Sequence, residues 1–174
     1  FICEACEYVE SFLKFFPKMS VVLNIEADHL DYFLGIDHIK SAFLKFGELT
    51  SDTIIYNGDD ENCKVLEVLK DKNLYTFGIL KSNDFYADNI KAESNGGYSY
   101  DLYYKNEFII RITLSVPGKH NVYNSLAASA AAYLSGVSME SAASALKTFQ
   151  GAERRFEYKG KYNGARVYDD YAHH

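Results

Sequence analysis

Positive charge is in short supply in this chain: 18 lysines and arginines stand against 24 acidic residues, a formal net charge of -6. Such a balance repels phosphate polyanions at long range and argues against nucleic acid as the main partner, while leaving room for a local basic pocket that takes a nucleotide. Long apolar runs are also missing. None approaches the roughly 20 residues needed to cross a bilayer, and no charged-then-apolar leader opens the chain, so a soluble protein is expected. Cysteine occurs only as Cys3, Cys6 and Cys63. Cys3-Glu4-Ala5-Cys6 has the C-x-x-C spacing, but a structural zinc site needs a second pair of Cys or His ligands and none follows. The expectation is small buried thiols in a reducing cytoplasm. A phosphate-binding loop is absent too. Gly118-Lys119 would require Gly at Thr113 and Ser or Thr at His120 to complete G-x-x-x-x-G-K-[ST], and no such loop occurs elsewhere. Neither an internal repeat nor a low-complexity segment is found.

What is present suits one globular domain. A length of 174 residues, 48% hydrophobic and 16% aromatic, supports a single core but not comfortably two. The chain opens on Phe1-Ile2-Cys3-Glu4, as though cut inside a β-strand, and stops at Asp169-Asp170-Tyr171-Ala172-His173-His174. Both ends read as the edges of an excised domain.

Patterning predicts alternating strands and helices in the first half. Phe1 to Cys3 reads as the end of a buried strand, followed by a helical stretch around Val9 to Phe16 that Pro17 closes. Ser20 to Ile25, Thr53 to Tyr56 and Leu74 to Phe77 read as strands of a parallel sheet covered on both faces. Between them, Asp37 to Leu49 is a helix with Asp37 able to cap it, and Glu61 to Lys70 is another, after a turn at Asn57-Gly58-Asp59-Asp60. The pattern then changes. Three runs, Phe85 to Ala92, Tyr98 to Tyr104 and Phe108 to Val116, have short connections and predict an antiparallel meander. Two helices follow: Asn121 to Leu134, rich in Ala and Ser and terminated by Gly136, and a second capped by Ser138 that ends near Gly151. Phe156 to Tyr171 suggests two short strands around Asn163-Gly164. The fold class is therefore α/β: a mostly parallel central sheet flanked by helices, with a small antiparallel β-meander.

Three constellations could carry chemistry. In an open α/β sheet, ligands bind where strands end and helices begin. Glu4 and the loop Glu26-Ala27-Asp28-His29-Leu30-Asp31 occupy such ends, where a carboxylate and an imidazole across a crevice could hold a divalent cation. The plainer alternative is a loop in which Asp28 caps the next turn and His29 bonds a carbonyl. The second is Pro117-Gly118-Lys119-His120-Asn121 with Asn124. The two asparagines share a helix face, and an amide can both donate to and accept from an adenine edge; simple capping by one of them is the alternative. The third is Glu153-Arg154-Arg155-Phe156, whose guanidinium could grip a phosphate in two-pronged fashion or simply face solvent.

Taken in this order, Glu4-Ala5-Cys6-Glu7, Asn24 to Asp31, Asn57-Gly58-Asp59-Asp60, Pro117 to Asn121 with Asn124, Arg154-Arg155-Phe156 and Asp169 to His174 resemble the Mur ligases. The resemblance runs nearly end to end and is weakest in the Phe85 to Val116 meander. It implies the central ATPase domain of a three-domain enzyme, with residues 1–168 forming that domain without its P-loop and residues 169–174 the hinge toward a carboxy-terminal domain. The two terminal histidines are then native. Carried over by position, Glu4 becomes a magnesium ligand and His29 a ligand or orienter for a second magnesium. His120, Asn121 and Asn124 lie on the adenine side, Arg155 faces the ATP phosphates, and Asp170 lies near the ribose. Cys6 stands where many relatives carry Asp and is assigned no ligand role. His29 and Arg155 are the expected catalytic residues, with ATP and Mg2+ as cofactors. The implied activity is cytoplasmic: an ATP-dependent carboxylate–amine ligation in peptidoglycan synthesis that joins L-alanine to UDP-N-acetylmuramate through an acyl phosphate. A branch of the family that recycles tripeptide shares most of these motifs, and a nucleotide-binding domain without catalysis is the alternative from another class.

Overall fold

Six strands line up in chain order to form one sheet. In the computed structural model, which describes residues 1–94 and 96–171, these are β1 (Met19–Val22), β2 (Thr53–Asn57), β3 (Asn73–Gly78), β4 (Phe85–Ala92), β5 (Tyr98–Tyr104) and β6 (Glu107–Thr113). Pairing is parallel from β1 to β4 and antiparallel from β4 to β6. The α/β expectation with an antiparallel meander is met, and the meander is continuous with the parallel sheet. Its link is short: β4 runs beside β3 only over Phe77↔Phe85 and Gly78↔Tyr86. Three helices, α1 (Ile36–Leu49), α2 (His120–Leu134) and α3 (Met139–Thr148), cover the faces, and β7 (Glu157–Tyr162) with β8 (Ala165–Asp169) forms a separate hairpin.

Strand β2, Thr-Ile-Ile-Tyr-Asn, is buried at every position, as a strand covered on both faces must be. Because side chains alternate, Ile55 packs with Phe77, Phe85, Tyr100, Leu102 and Ile112 under Val122, Leu126 and Ala130 of α2. Ile54 and Tyr56 face the other way, toward Ile39, Ala42 and Phe46 of α1, with Phe12, Phe33 and Leu66. On the α2 side the buried Tyr100 hydroxyl lies 2.8 Å from the Ser125 Oγ, which donates to the Val122 carbonyl. Ser and Ala on α2 let the helix approach the sheet closely while a hydroxyl satisfies the buried phenol.

Helix ends follow local chemistry with one exception. Gly136, at φ +77°, donates to Tyr133, and Val137 donates to Ala132, closing α2 in a Schellman arrangement. Ser138 caps α3 by accepting from the Ser141 amide. At α1 the cap is Gly35 at φ +133°, so Asp37 lies one step inside the first turn, where its charge meets the positive end of the helix. Asn163 and Gly164, at φ +47° and +85°, make the tight turn of the β7–β8 hairpin.

Other expectations give way. Phe1 to Cys3 forms no strand: Phe1 and Ile2 are exposed, and a short segment without a paired neighbour gains no ladder hydrogen bonds. The stretch Tyr8–Lys14 is a 3-10 turn interrupted by Val9 and Glu10 in the left-handed region, at φ +54° and +53°. Strain at a β-branched residue is held by backbone bonds from Glu10 to Glu7 and from Phe12 to Cys6, and by Phe12 stacked 4.9 Å from Phe46. Between β2 and β3 the expected helix is a 3-10 turn, Cys63–Val68. A 3-10 turn rises further per residue than an α-helix, which suits a return path this short. Of the cysteines only Cys63 is buried; Cys3 and Cys6 are exposed on a segment that belongs to no strand or helix.

Beyond β2, Asn57-Gly58-Asp59-Asp60 ties the sheet's carboxyl ends together. Asn57 donates to the Leu23 carbonyl, Asp60 accepts from the Ile25 amide at 2.9 Å, and Asn62 donates to the Ile25 carbonyl at 2.8 Å. Asp59 accepts from the Ile79 amide at 2.6 Å and from Asn83 Nδ2 at 2.7 Å. Gly78 permits this approach: a Cβ there would lie 2.5 Å from Asn83 Nδ2 and from the Asp59 carboxylate. Gly78→Ala is expected to destabilise the domain by about 1–3 kcal/mol through overpacking of groups that have nowhere to retreat. Leu126→Ala, a cavity beneath α2, should cost about 2–5 kcal/mol. Chemical denaturation midpoints at constant slope check both.

Candidate functional site

The loop leaving β1 turns sharply at His29, which adopts φ +52°. Its amide donates to Asp28 Oδ1 at 2.7 Å, and its carbonyl accepts from Tyr32 and Phe33 at 2.9 Å. Asp28 thus shapes the turn, while the imidazole leaves it sideways. The ring packs against Tyr8 with centroids 4.7 Å apart, and Nε2 lies 3.5 Å from Glu7 Oε1. Tyr8 donates to Asp31 Oδ2 at 3.0 Å, a bond that raises its own pKa above the ordinary tyrosine value. The carboxylate facing His29 is therefore Glu7. Glu4, three residues earlier, is exposed and extended. Glu7 belongs to the same Glu4-Ala5-Cys6-Glu7 stretch, and the left-handed turn at Val9 and Glu10, which no periodicity reveals, brings it inward. Among the described residues no group of three or more His, Cys, Asp or Glu converges as a metal cage.

The second constellation lies at the start of α2. Gly118, at φ +98°, turns the chain from the end of the meander into the helix. Asn121 Nδ2 donates to the Pro117 carbonyl at 2.7 Å, and Asn124 Nδ2 donates to Asn121 Oδ1 at 3.2 Å. Neither side chain caps the helix, which leaves the exposed Asn124 carbonyl oxygen and the remaining amide hydrogens available. Both asparagines line a cleft of about 310 Å³ with Leu114, Val116, Leu146 and Phe149. An apolar-walled cleft with two asparagines among its lining residues suits a heteroaromatic ring with donors and acceptors on its edge. His120 is exposed at the first turn beside Gly118.

Between Asn121 and Asn124 stands Tyr123, whose hydroxyl donates to Asp59 Oδ2 at 3.2 Å. Burial, then the Asp59 charge, push this phenol up to about 12, so it stays a donor. The sequence places Asp59 in a turn motif and Tyr123 between two asparagines but pairs neither with the other. A polar residue pairing across 64 positions leaves no local signal.

The third constellation lies at the base of the hairpin. Asp170 accepts from the Phe156 amide at 2.7 Å, the Tyr171 amide donates to the Arg154 carbonyl at 2.7 Å, and the Arg154 guanidinium sits 4.9 Å from the Tyr171 ring centre. Arg155 is exposed. The fold therefore brings Arg155 and Asp170 into one hairpin base, Asn121 and Asn124 into one cleft, and His29 against Glu7. Of the hinge expected over 169–174, Ala172, His173 and His174 lie outside the described residues.

The sequence pattern of the Mur ligase middle domain matches residues 1–132. Two curated relatives named UDP-N-acetylmuramate–L-alanine ligase are similar over the whole chain. One, from Acetivibrio thermocellus, is 50% identical, and the other, from Caldanaerobacter subterraneus subsp. tengcongensis, is 45% identical; the chain spans 38% of the length of each. Among solved structures, the UDP-N-acetylmuramate–alanine ligase of Thermotoga maritima superposes with a TM-score of 0.79 at 28% identity, covering 95% of this chain and 37% of that one. Matched over residues 1–132 in sequence and over nearly its full length in fold, the chain belongs to the Mur ligase family, to its middle domain.

Proposed function

We propose that the full-length parent joins L-alanine to UDP-N-acetylmuramate at the expense of ATP, in the cytoplasm, as a step of peptidoglycan synthesis. Residues 1–168 are its nucleotide-handling domain and residues 169–174 lead toward the next. The observation that carries this reading is the 45–50% identity, end to end, with relatives bearing that name. No described helix is long and apolar enough to cross a membrane.

The reaction runs in two steps. The muramate carboxylate attacks the γ-phosphorus and ADP leaves, giving an acyl phosphate; the amine of L-alanine then attacks the acyl carbon, phosphate departs and the amine loses a proton. Both steps bring anions together, so positioning and charge neutralisation set the rate. Asn121 and Asn124 hold the adenine edge against the walls of the cleft, with His120 alongside. Arg155 reaches the phosphates and offsets charge that develops there, and Asp170, fixed on the Phe156 amide, holds the ribose side.

His29 and Glu4 serve the metal end. Magnesium is commonly held by one or two carboxylates together with water and phosphate oxygens, so the exposed Glu4 would suffice as a protein carboxylate for it. When bound, the ion neutralises phosphate charge and orients the attacking carboxylate. His29, braced by Tyr8 and Glu7, is oriented to donate or to ligate at the mouth of the β1 loop.

The parent enzyme is expected to release phosphate with UDP-N-acetylmuramate, ATP, Mg2+ and L-alanine, and not with the tripeptide L-alanyl-γ-D-glutamyl-diaminopimelate in place of alanine. Turnover with tripeptide alone assigns the recycling branch instead, and turnover with neither assigns a non-catalytic nucleotide-binding protein. Chelation of Mg2+ should abolish the reaction and its return restore it. In the same assay Arg155→Ala and His29→Ala should lower kcat by about 100-fold or more.

A further inference from the structure

Tyr123 points away from the cleft that its neighbours line. On a helix it lies roughly 100° from Asn124 and 160° from Asn121 around the axis, so its ring faces the sheet while the amides face the cleft. Its hydroxyl meets a carboxylate that cannot yield. Asp59 is held by the Ile79 amide at 2.6 Å, the Leu80 amide at 3.4 Å and Asn83 Nδ2 at 2.7 Å, all from the loop after β3. Asn83 is itself buried and also donates to the Leu80 carbonyl. A helix packed by Val122, Leu126 and Ala130 resists being pulled off the sheet, but apolar contact resists rolling about the axis far less, because it is non-directional. A directional bond off one side of the first turn is what stops a roll. At the surface radius of a helix, about 5–6 Å, a 10° roll moves an atom by about 1 Å. That is enough to spoil amide hydrogen bonds to a base edge.

We infer that the Tyr123–Asp59 hydrogen bond is a positioning device for nucleotide recognition, fixing the rotation of α2 so that Asn121 and Asn124 meet the base edge. The inference rests on the proposed nucleotide role of the cleft. Tyr123 touches no substrate and acts only through the asparagines. Loss of its hydroxyl then weakens selection of the base and leaves the chemistry of phosphoryl and acyl transfer alone. Asp59 joins the same device from the sheet side, so the loop after β3 is linked to nucleotide affinity without contacting the nucleotide.

The test uses the full-length enzyme. Tyr123→Phe keeps the ring and removes one oxygen. It is expected to raise the KM for ATP about five- to tenfold, the effect of losing a typical hydrogen bond's worth of alignment. The kcat and the KM for the amino acid should stay within about twofold, and the preference for ATP over GTP should narrow. Asn124→Ala serves as the reference for the cleft. If Asn124→Ala raises the KM for ATP and Tyr123→Phe does not, the positioning role is overturned while the cleft assignment stands. If Asn124→Ala leaves that KM unchanged, the cleft assignment fails and the positioning role goes with it. If Tyr123→Phe lowers kcat and raises every KM together with a fall in melting temperature, the bond is merely structural and the inference is overturned.

Discussion

The arrangement depends on one hydrogen-bonded cluster, the half-buried Asp59 carboxylate and the donors that surround it at the carboxyl end of the sheet. A carboxylate partly withdrawn from water is stabilised where its lone pairs are met, and here two amides, a side-chain amide and a phenol meet them. Each hydrogen bond to a charged group contributes about 1.5–3 kcal/mol, and leaving any donor unpaired costs a comparable amount. The cluster therefore forms as a unit. Through it β2, the loop after β3 and α2 share one reference point, while neighbouring Asp60 adds the exit of β1. Glycine at 58 and 78 follows from this crowding, since a Cβ at 58 would enter the Asn83 and Thr76 side chains and one at 78 the Asn83 and Asp59 groups.

The meander has a use that its separate appearance in the sequence conceals. Because β4 joins the parallel sheet over only two pairs, the strands beyond it turn antiparallel and extend the sheet sideways. The chain leaving β6 then passes Leu114 and Val116 under α2 and α3, where both become walls of the cleft with Asn121 and Asn124. Ser115 donates to the Lys147 carbonyl at 2.6 Å, pinning the end of α3 to the same segment. The cleft thus arises at a junction of three elements. None of them would present it alone.

Much of this was legible in the residues, and the reasons differ by element. Buried parallel strands announce themselves as β-branched runs, and Gly136, Ser138 and Asn163-Gly164 mark ends and turns by local backbone chemistry. The two 3-10 turns were read as helices because apolar spacing at three or four residues is common to both geometries; the left-handed Val9 and Glu10 that break the first depend on Phe12 seating against Phe46. In the site, Asn121 and Asn124 were legible because their spacing is local. The contact of Glu7 with His29, like that of Asp59 with Tyr123, has no local trace in the sequence because it exists only once the elements have docked. Asp37 was given the cap that Gly35 holds, since a favourable first-turn charge and a cap leave nearly the same trace in sequence.

Net charge sets a further constraint on how such a domain can recognise an anionic nucleotide. At -6 the chain's long-range field opposes a triphosphate and a sugar carboxylate alike. At physiological ionic strength that field decays over roughly 8 Å, so recognition must be short-ranged to succeed. On the proposed reading, uncharged amides beside an apolar cleft meet this requirement, because their hydrogen bonds to a base are indifferent to the sign of the surrounding potential. On the same reading phosphate charge is a separate task, proposed for local cations such as Arg155 at the hairpin base. The proposed base-binding groups sit on a helix tied to the sheet, whereas Arg155 stands just before a two-stranded hairpin outside it. Alignment of a base edge needs an ångström's precision, while attraction between full charges tolerates more.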